Sequence, residues 1–433
     1  MDVKIRDRFL SDAHRDELRT LRSRSHQVLL LAAITGAVTG LVVAGFERLV
    51  VEVMFENVLD LPLWMIAVMP GIGLLVALAA RRYIGGGVSP STADEYLEAF
   101  HDSAHRLGWR AYAGRIVAAV ATLGSGGPMG LEGPSLYTGS TIGWHLQRDR
   151  RKPMRGSDHR VLLVAGAAAG VAAIFKAPAT GAVFALEVPY RGDLARRMLL
   201  PALMASATGY LVFAAINGTG RLFPIEGTPS FGFRDLAGAV LLGALAGLGA
   251  RAYAWLLRRA KRLAGGPHPL LLAVAAGVAV AVLFAVCRLL TGESLVVGTG
   301  YSVIEWVATP ARSAWLVLAV LVLRSLATSA TLAGGGVGGL FVPLVVSGAL
   351  TGAVVGNAVQ RADLGLFIVI GVAAFLGAGY RVPLAAVMFV AETTGRPSFV
   401  VPGLIAAVVA ELMMGPSSVT TYQVDTSMPL PSG

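Results

Sequence analysis

Glu132 is the only acid between Asp102 and Asp149, and it sits in the middle of Gly130-Leu131-Glu132-Gly133-Pro134. The glycines permit a sharp change of direction and the proline suits a first helical turn, so the run predicts a helix opening here. A helix start presents unpaired backbone N–H groups and the positive end of its dipole, which favour an anion without placing a full cation beside it. A carboxylate at that point can occupy the anion's seat itself. When protonated or displaced it vacates the seat, which is the chemistry of a gate that also carries a proton. Gly339-Leu340-Phe341-Val342-Pro343 repeats the pattern 209 residues later, with phenylalanine in place of the acid. The substrate predicted from the pair is an anion. Close helix packing, which small residues also permit in membranes, is the competing explanation for these glycines.

The correspondence extends beyond the two motifs. Thr122-Leu123 matches Thr331-Leu332, and Gly139 and Gly143 match Gly348 and Gly352, all at the same offset of 209. A second register, offset by 205, pairs Gly166 with Gly371, Lys176 with Arg381, Pro178 with Pro383, Phe184 with Phe389 and Glu187 with Glu392. Matched prolines in two nearly equal registers indicate a duplicated unit. The first membrane repeat is placed at 25–220, a linker at 221–231 and the second repeat at 232–425, between a cytoplasmic N-terminal arm at 1–24 and a C-terminal tail at 426–433. Duplicated membrane halves often insert in opposite orientation, and their substrate site then lies near the midplane where broken helices of both halves meet. The fold class expected is therefore all-α integral membrane, with two inverted-topology repeats of broken and tilted helices. Lys176 and Arg381 are expected either to raise anion potential at an inner vestibule or to snorkel to the interface. Glu187 and Glu392, which end matched apolar helices, are expected to pair with nearby bases.

Composition excludes an ordinary cytosolic enzyme, since 55% of the 433 residues are apolar and 14% charged, against about a quarter charged in soluble domains. Uncharged blocks run over 25–46, 61–80, 116–131, 198–220, 263–287, 325–360 and 364–380. Several fall short of the roughly 20 residues of a perpendicular span. Such helices stop inside the membrane, which is tolerable only where their loose backbone ends are buried in protein or line a water-filled path. The surplus of 36 basic over 26 acidic residues falls between apolar blocks and so marks cytoplasmic loops, at 148–155 and 251–262, with no nucleic-acid partner expected. The first 24 residues are too charged for a secretory signal. A single cysteine, Cys287, excludes a disulfide scaffold and a cysteine-rich metal centre.

Other constellations carry less. His101 and His105 lie four apart and could offer two metal ligands on one helix face, but no HExxH pattern or nearby cysteine supports a site. Ser125 does not stand in a nucleophile elbow, and its glycine-rich run lacks a phosphate-loop lysine. No metal, no cofactor and no enzymatic reaction are expected.

At these residues the chain resembles the CLC family of chloride channels and proton-coupled anion exchangers, over approximately 27–425. Gly130 to Pro134 is similar to the family's G-[KR]-E-G-P motif, whose glutamate is the external gate. Gly339 to Pro343 fits its G-x-F-x-P motif. Gly86-Gly87-Val88-Ser89-Pro90 resembles its G-S-G-I-P motif more loosely, and Phe175-Lys176-Ala177-Pro178 before an apolar helix adds to the similarity. The resemblance implies a homodimer spanning the lipid bilayer of a bacterial inner membrane. Each subunit would hold a pathway for chloride or another small inorganic anion, gated by Glu132 and lined by these three motifs. The prokaryotic type, without C-terminal regulatory domains, is the one resembled.

Four departures qualify what the resemblance implies. Gly87 replaces the serine that coordinates the central anion in chloride-selective relatives, so that hydrogen bond is absent unless Ser89 supplies it. Leu131 stands where the family has a base. For the family's coordinating tyrosine the chain offers Ser418 or Tyr422, with gapless counting favouring Ser418. Val188 occupies the position where coupled exchangers often carry a second glutamate, the inner proton relay, while Glu187 points about 100° away on a helix. The function expected is transport of chloride or a similar anion, channel-like or weakly proton-coupled. Proton-coupled antiport is the alternative, and sodium-driven solute uptake a more distant one.

Overall fold

The computed structural model describes residues 12–148, 158–220, 232–309, 312–359 and 364–425. The 221–231 linker, the 426–433 tail, the start of the N-terminal arm and most of the basic stretch at 148–155 lie outside the described residues.

Helices follow one another in the same order in both halves. The first half holds α1 (Asp12–Arg48), α2 (Leu63–Ala79), α3 (Ala93–His101), α4 (Trp109–Gly124), α5 (Glu132–Arg148), α6 (Val161–Phe175), α7 (Pro178–Glu187) and α8 (Leu199–Asn217). The second holds α9 (Phe233–Ala264), α10 (Pro269–Thr291), α11 (Tyr301–Ala308), α12 (Ala314–Ala333), α13 (Phe341–Ala358), α14 (Gly365–Tyr380), α15 (Pro383–Thr394) and α16 (Val400–Met414). Among the described residues, 8 helices are long and apolar enough to cross a membrane. Others are not: α6 has 15 residues and α7 has 10, so at 1.5 Å per residue α6 reaches about 22 Å of a hydrocarbon core of about 30 Å. These short helices form the middle of the protein, and α6 and α14 are buried along almost their whole length.

Close packing accounts for one set of repeated glycines. Gly139 on α5 crosses Gly166 on α6, and Gly348 on α13 crosses Gly371 on α14, each so near the other's carbonyl that a β-carbon would collide. The matched cations have a shared backbone role as well. Lys176 and Arg381 end α6 and α14 in the left-handed conformation, with φ of 53° and 59°, and each is followed by a proline that opens the next helix.

α7 and α15 lie antiparallel, joined at both ends by carboxylates. Glu187, the last residue of α7, accepts from the backbone N–H groups of Leu384 (3.1 Å) and Ala385 (2.8 Å) at the start of α15. Glu392, near the end of α15, accepts from those of Ala179 (2.9 Å) and Thr180 (2.6 Å) at the start of α7. The expectation that these acids pair with bases is thus corrected, because helix-start donors lacking intrahelical partners meet that need. Lys176 and Arg381 consequently sit at opposite ends of the α7–α15 pair. Arg381 is bound to Glu411 at 2.8 Å.

Candidate anion site between the two repeats

α5 and α13 begin head to head. Gly130 donates to the Gly339 carbonyl at 2.9 Å and Gly339 donates back at 2.6 Å, an antiparallel bridge between residues equivalent in the two repeats. From the first position of α5, Glu132 turns its carboxylate onto the start of α13. Its Oε1 accepts from the backbone N–H of Phe341 at 2.6 Å and of Val342 at 3.3 Å. Leu340, the residue before α13, supplies no side-chain cap, so the acid fills a place that a free anion would otherwise take. Glu132 is 4% exposed, and its second oxygen is buried without a protein hydrogen bond. A β-carbon on Gly130 or Gly339 would run into this carboxylate, which is why both positions are glycine.

Phe341 closes the apolar side of the site, with its ring centroid 4.3 Å from Phe175, 5.4 Å from Phe184 and 5.0 Å from Phe389. On the other side is a narrow cavity bounded by Pro90 to Asp94 at the start of α3, by Gly338 to Leu340 before α13, and by Lys261, Tyr380, Val419 and Thr420. It adjoins an open cleft of about 570 Å³ lined by Arg81, Arg82, Gly87 to Ser91 and the α9–α10 turn. The starts of α3 and α13 therefore flank one cavity, and the start of α5 meets that of α13 beside it through the Gly130–Gly339 bridge.

Of the Gly86 to Pro90 run, Gly87, Val88, Ser89 and Pro90 line the open cleft, and Pro90 alone reaches the narrow cavity. Gly87 has φ +87° with open space where a side chain would start, so its backbone itself disfavours serine there. Ser89 faces other partners, since its hydroxyl receives Arg115 at 3.2 Å and donates to Glu95 at 3.3 Å. Leu131 is buried, Gly133 packs on the Gly339 backbone, and Pro134 and Pro343 occupy the first turns of α5 and α13. Ser418 is buried against the Thr420 hydroxyl at 3.0 Å. Tyr422 is 44% exposed, with the Glu98 charge beside it pushing its phenol pKa up. The wall facing the cavity from this segment is made by Val419 and Thr420, between the two expected positions. Val188 is buried and its carbonyl receives the Gln423 amide at 2.9 Å.

His101 and His105 do not converge. His101 meets the Pro189 carbonyl at 2.9 Å, while His105 lies 3.2 Å from Glu95 and 3.4 Å from Glu98. Glu95, Glu98 and His105 do bring ligand atoms within 4.8 Å of one another, but Arg115 already binds Glu95 from the other side.

Two structural residues escaped the sequence reading. Arg115 on α4 donates from Nε to the Ser89 carbonyl at 3.1 Å, and Arg324 on α12 donates to the carbonyls of Leu295 and Val297 at 3.0 Å each and to that of Gly298. Arg115 and Arg324 are 209 apart, as are Ser89 and Gly298. Each arginine pins the loop that precedes its repeat's short third helix. The same offset that exposed the glycine motifs would have found them.

Residues 72–415 match the voltage gated chloride channel family. The chain belongs to this family. Its fold is the family's: two inverted-topology repeats in a multi-pass integral membrane protein. Among curated relatives, the H(+)/Cl(-) exchange transporter ClcA of Citrobacter koseri is 28% identical over 409 residues, covering 89% of this chain and 85% of that one. The structure superposes on a CLC-type fluoride/proton antiporter with a TM-score of 0.78 at 23% identity, covering 92% of this chain and 98% of the other. A slow cyanobacterial Cl-/H+ antiporter gives 0.77 at 20% identity, covering 90% and 94%.

Proposed function

We propose that the protein exchanges chloride or a similar small inorganic anion for protons across the membrane. The observation that carries this reading is the Glu132 carboxylate seated on the N–H groups of Phe341 and Val342. An ionised acid there excludes the anion. Protonation removes the charge that competes for those donors, so anion arrival and proton uptake are tied to one place. The exchange activity named for relatives at 28% identity supports the coupled form over the channel-like form that Val188 alone suggests. A homodimer in a bacterial inner membrane belongs to the same reading, checked by cross-linking in native membranes.

The test is the reversal potential across a bilayer with symmetric chloride and a tenfold proton gradient. Coupled exchange shifts it by a fixed fraction of the proton potential. A reversal at zero, with anion current present, contradicts exchange in favour of a channel.

A further inference from the structure

The narrow cavity beside Glu132 and the open cleft share three lining residues, Pro90, Ser91 and Lys261. Lys261, near the end of α9, therefore borders both cavities. It is the only full cation lining the narrow cavity among the described residues. Its ammonium donates to Asp94 Oδ2 at 2.6 Å and to the Val419 carbonyl at 3.0 Å. Asp94, in the first turn of α3, also accepts from the Thr421 backbone N–H at 3.2 Å. Both side chains are mostly covered, at 16% and 10% exposure.

This arrangement parallels the one at Glu132. In each, a carboxylate of the protein occupies positive groups beside the narrow cavity: the N–H groups of Phe341 and Val342, next to the lining residue Leu340, in one case, and the Lys261 ammonium with the Thr421 N–H, next to the lining residue Thr420, in the other. A dehydrated anion needs such groups to offset its lost hydration, and a lysine held by an aspartate offers little net field until the aspartate lets go.

We infer that Lys261 is an inner anion-binding cation, and that Asp94 is the carboxylate with which the transported anion competes for it. The inference rests on the proposed anion transport and adds an inner guard to the outer one. It predicts opposite effects from the two partners. Removing the cation loosens anion binding. Neutralising the acid frees the cation and tightens binding. A pair that only fastens α9 to α3 would give the same sign for both, through lost stability, with anion affinity unmoved.

The experiment is isothermal titration of sodium chloride into purified full-length protein, with thermal unfolding recorded for each variant. Lys261→Gln should raise the chloride Kd about tenfold, and Asp94→Asn should lower it at least threefold. In the Lys261→Gln background, Asp94→Asn should have no further effect, because its action passes through the ammonium. Equal or same-sign shifts in Kd, or a persistent Asp94→Asn effect without Lys261, would overturn the inference while leaving wild-type transport intact. Failure of the wild-type protein to bind or move any halide would instead overturn the transport reading, and this one with it. Should Lys261→Gln not fold, Asp94→Asn decides alone: tighter binding supports the inference, and unchanged or weaker binding overturns it.

Discussion

Glu187 and Glu392, 205 residues apart, each bind the first N–H groups of the helix that the other one ends. The two carboxylates thus tie the repeats together across their approximate two-fold axis. In this arrangement Glu187 has both oxygens committed to backbone donors, which does not suit it to act as a mobile proton carrier.

Glutamine at either position keeps a carbonyl oxygen but loses the charge that strengthens these bonds and complements the helix dipole. Glu187→Gln and Glu392→Gln should each destabilise the protein by about 1.5–3 kcal/mol, read as a lower thermal unfolding midpoint in detergent. Anion selectivity should not change with either. Unchanged stability would mean the caps are dispensable.

Glu132→Gln should raise anion flux and remove most of its pH dependence. In the wild-type protein flux should rise as pH falls, because protonation releases the donors of Phe341 and Val342 to the anion. Fluorescence-reported halide efflux from liposomes between pH 4 and pH 8 checks both statements. A folded, active variant that keeps the wild-type pH profile would remove Glu132 from the gate.

A heavy halide soaked into a crystal of Glu132→Gln should sit within roughly 3.0–3.5 Å of the N–H groups of Phe341 and Val342. Density confined to the open cleft would place the anion elsewhere. With glycine at position 87, discrimination between chloride and nitrate should be weak in competition experiments.

Arg324→Leu should be far more damaging than most core substitutions, because it strands the carbonyls of Leu295, Val297 and Gly298 in the interior. The loss should exceed about 3 kcal/mol, since each unpaired buried carbonyl costs about 1–3 kcal/mol. Its visible consequence should be loss of the monodisperse peak in size-exclusion chromatography. Arg115→Leu, at the equivalent position, should act in the same direction.

Much of this architecture was legible because duplication writes the same constraint twice. The offset of 209 paired Gly130 with Gly339, which touch in the structure, and the offset of 205 paired Lys176 with Arg381, which share a rare backbone conformation. The charge of Glu132 and the proline after it marked a helix start without any contact being known. What periodicity could not supply was partner choice. Glu187 and Glu392 find backbone donors on a helix about 200 residues away in the chain, and nothing in their neighbours' identities distinguishes that from an ion pair with Arg381. The same holds for the segment after α16. Whether Ser418, Thr420 or Tyr422 faces the cavity depends on how a short irregular strand leaves the membrane, and that is set by the Val419 N–H bonding to Gly379 and by the pairing of Tyr190 with Val424.

The central claim is that anion and proton share the place held by Glu132, and the most direct measurement is proton movement driven by an anion gradient alone. Liposomes loaded with potassium chloride and made potassium-permeable with valinomycin, in a lightly buffered low-chloride medium of equal potassium and equal pH, should alkalinise the medium as chloride leaves, with potassium efflux balancing the charge and protons drawn inward against no gradient of their own. Glu132→Gln should let chloride leave with no pH change. Chloride efflux from wild-type liposomes without any alkalinisation would contradict the account.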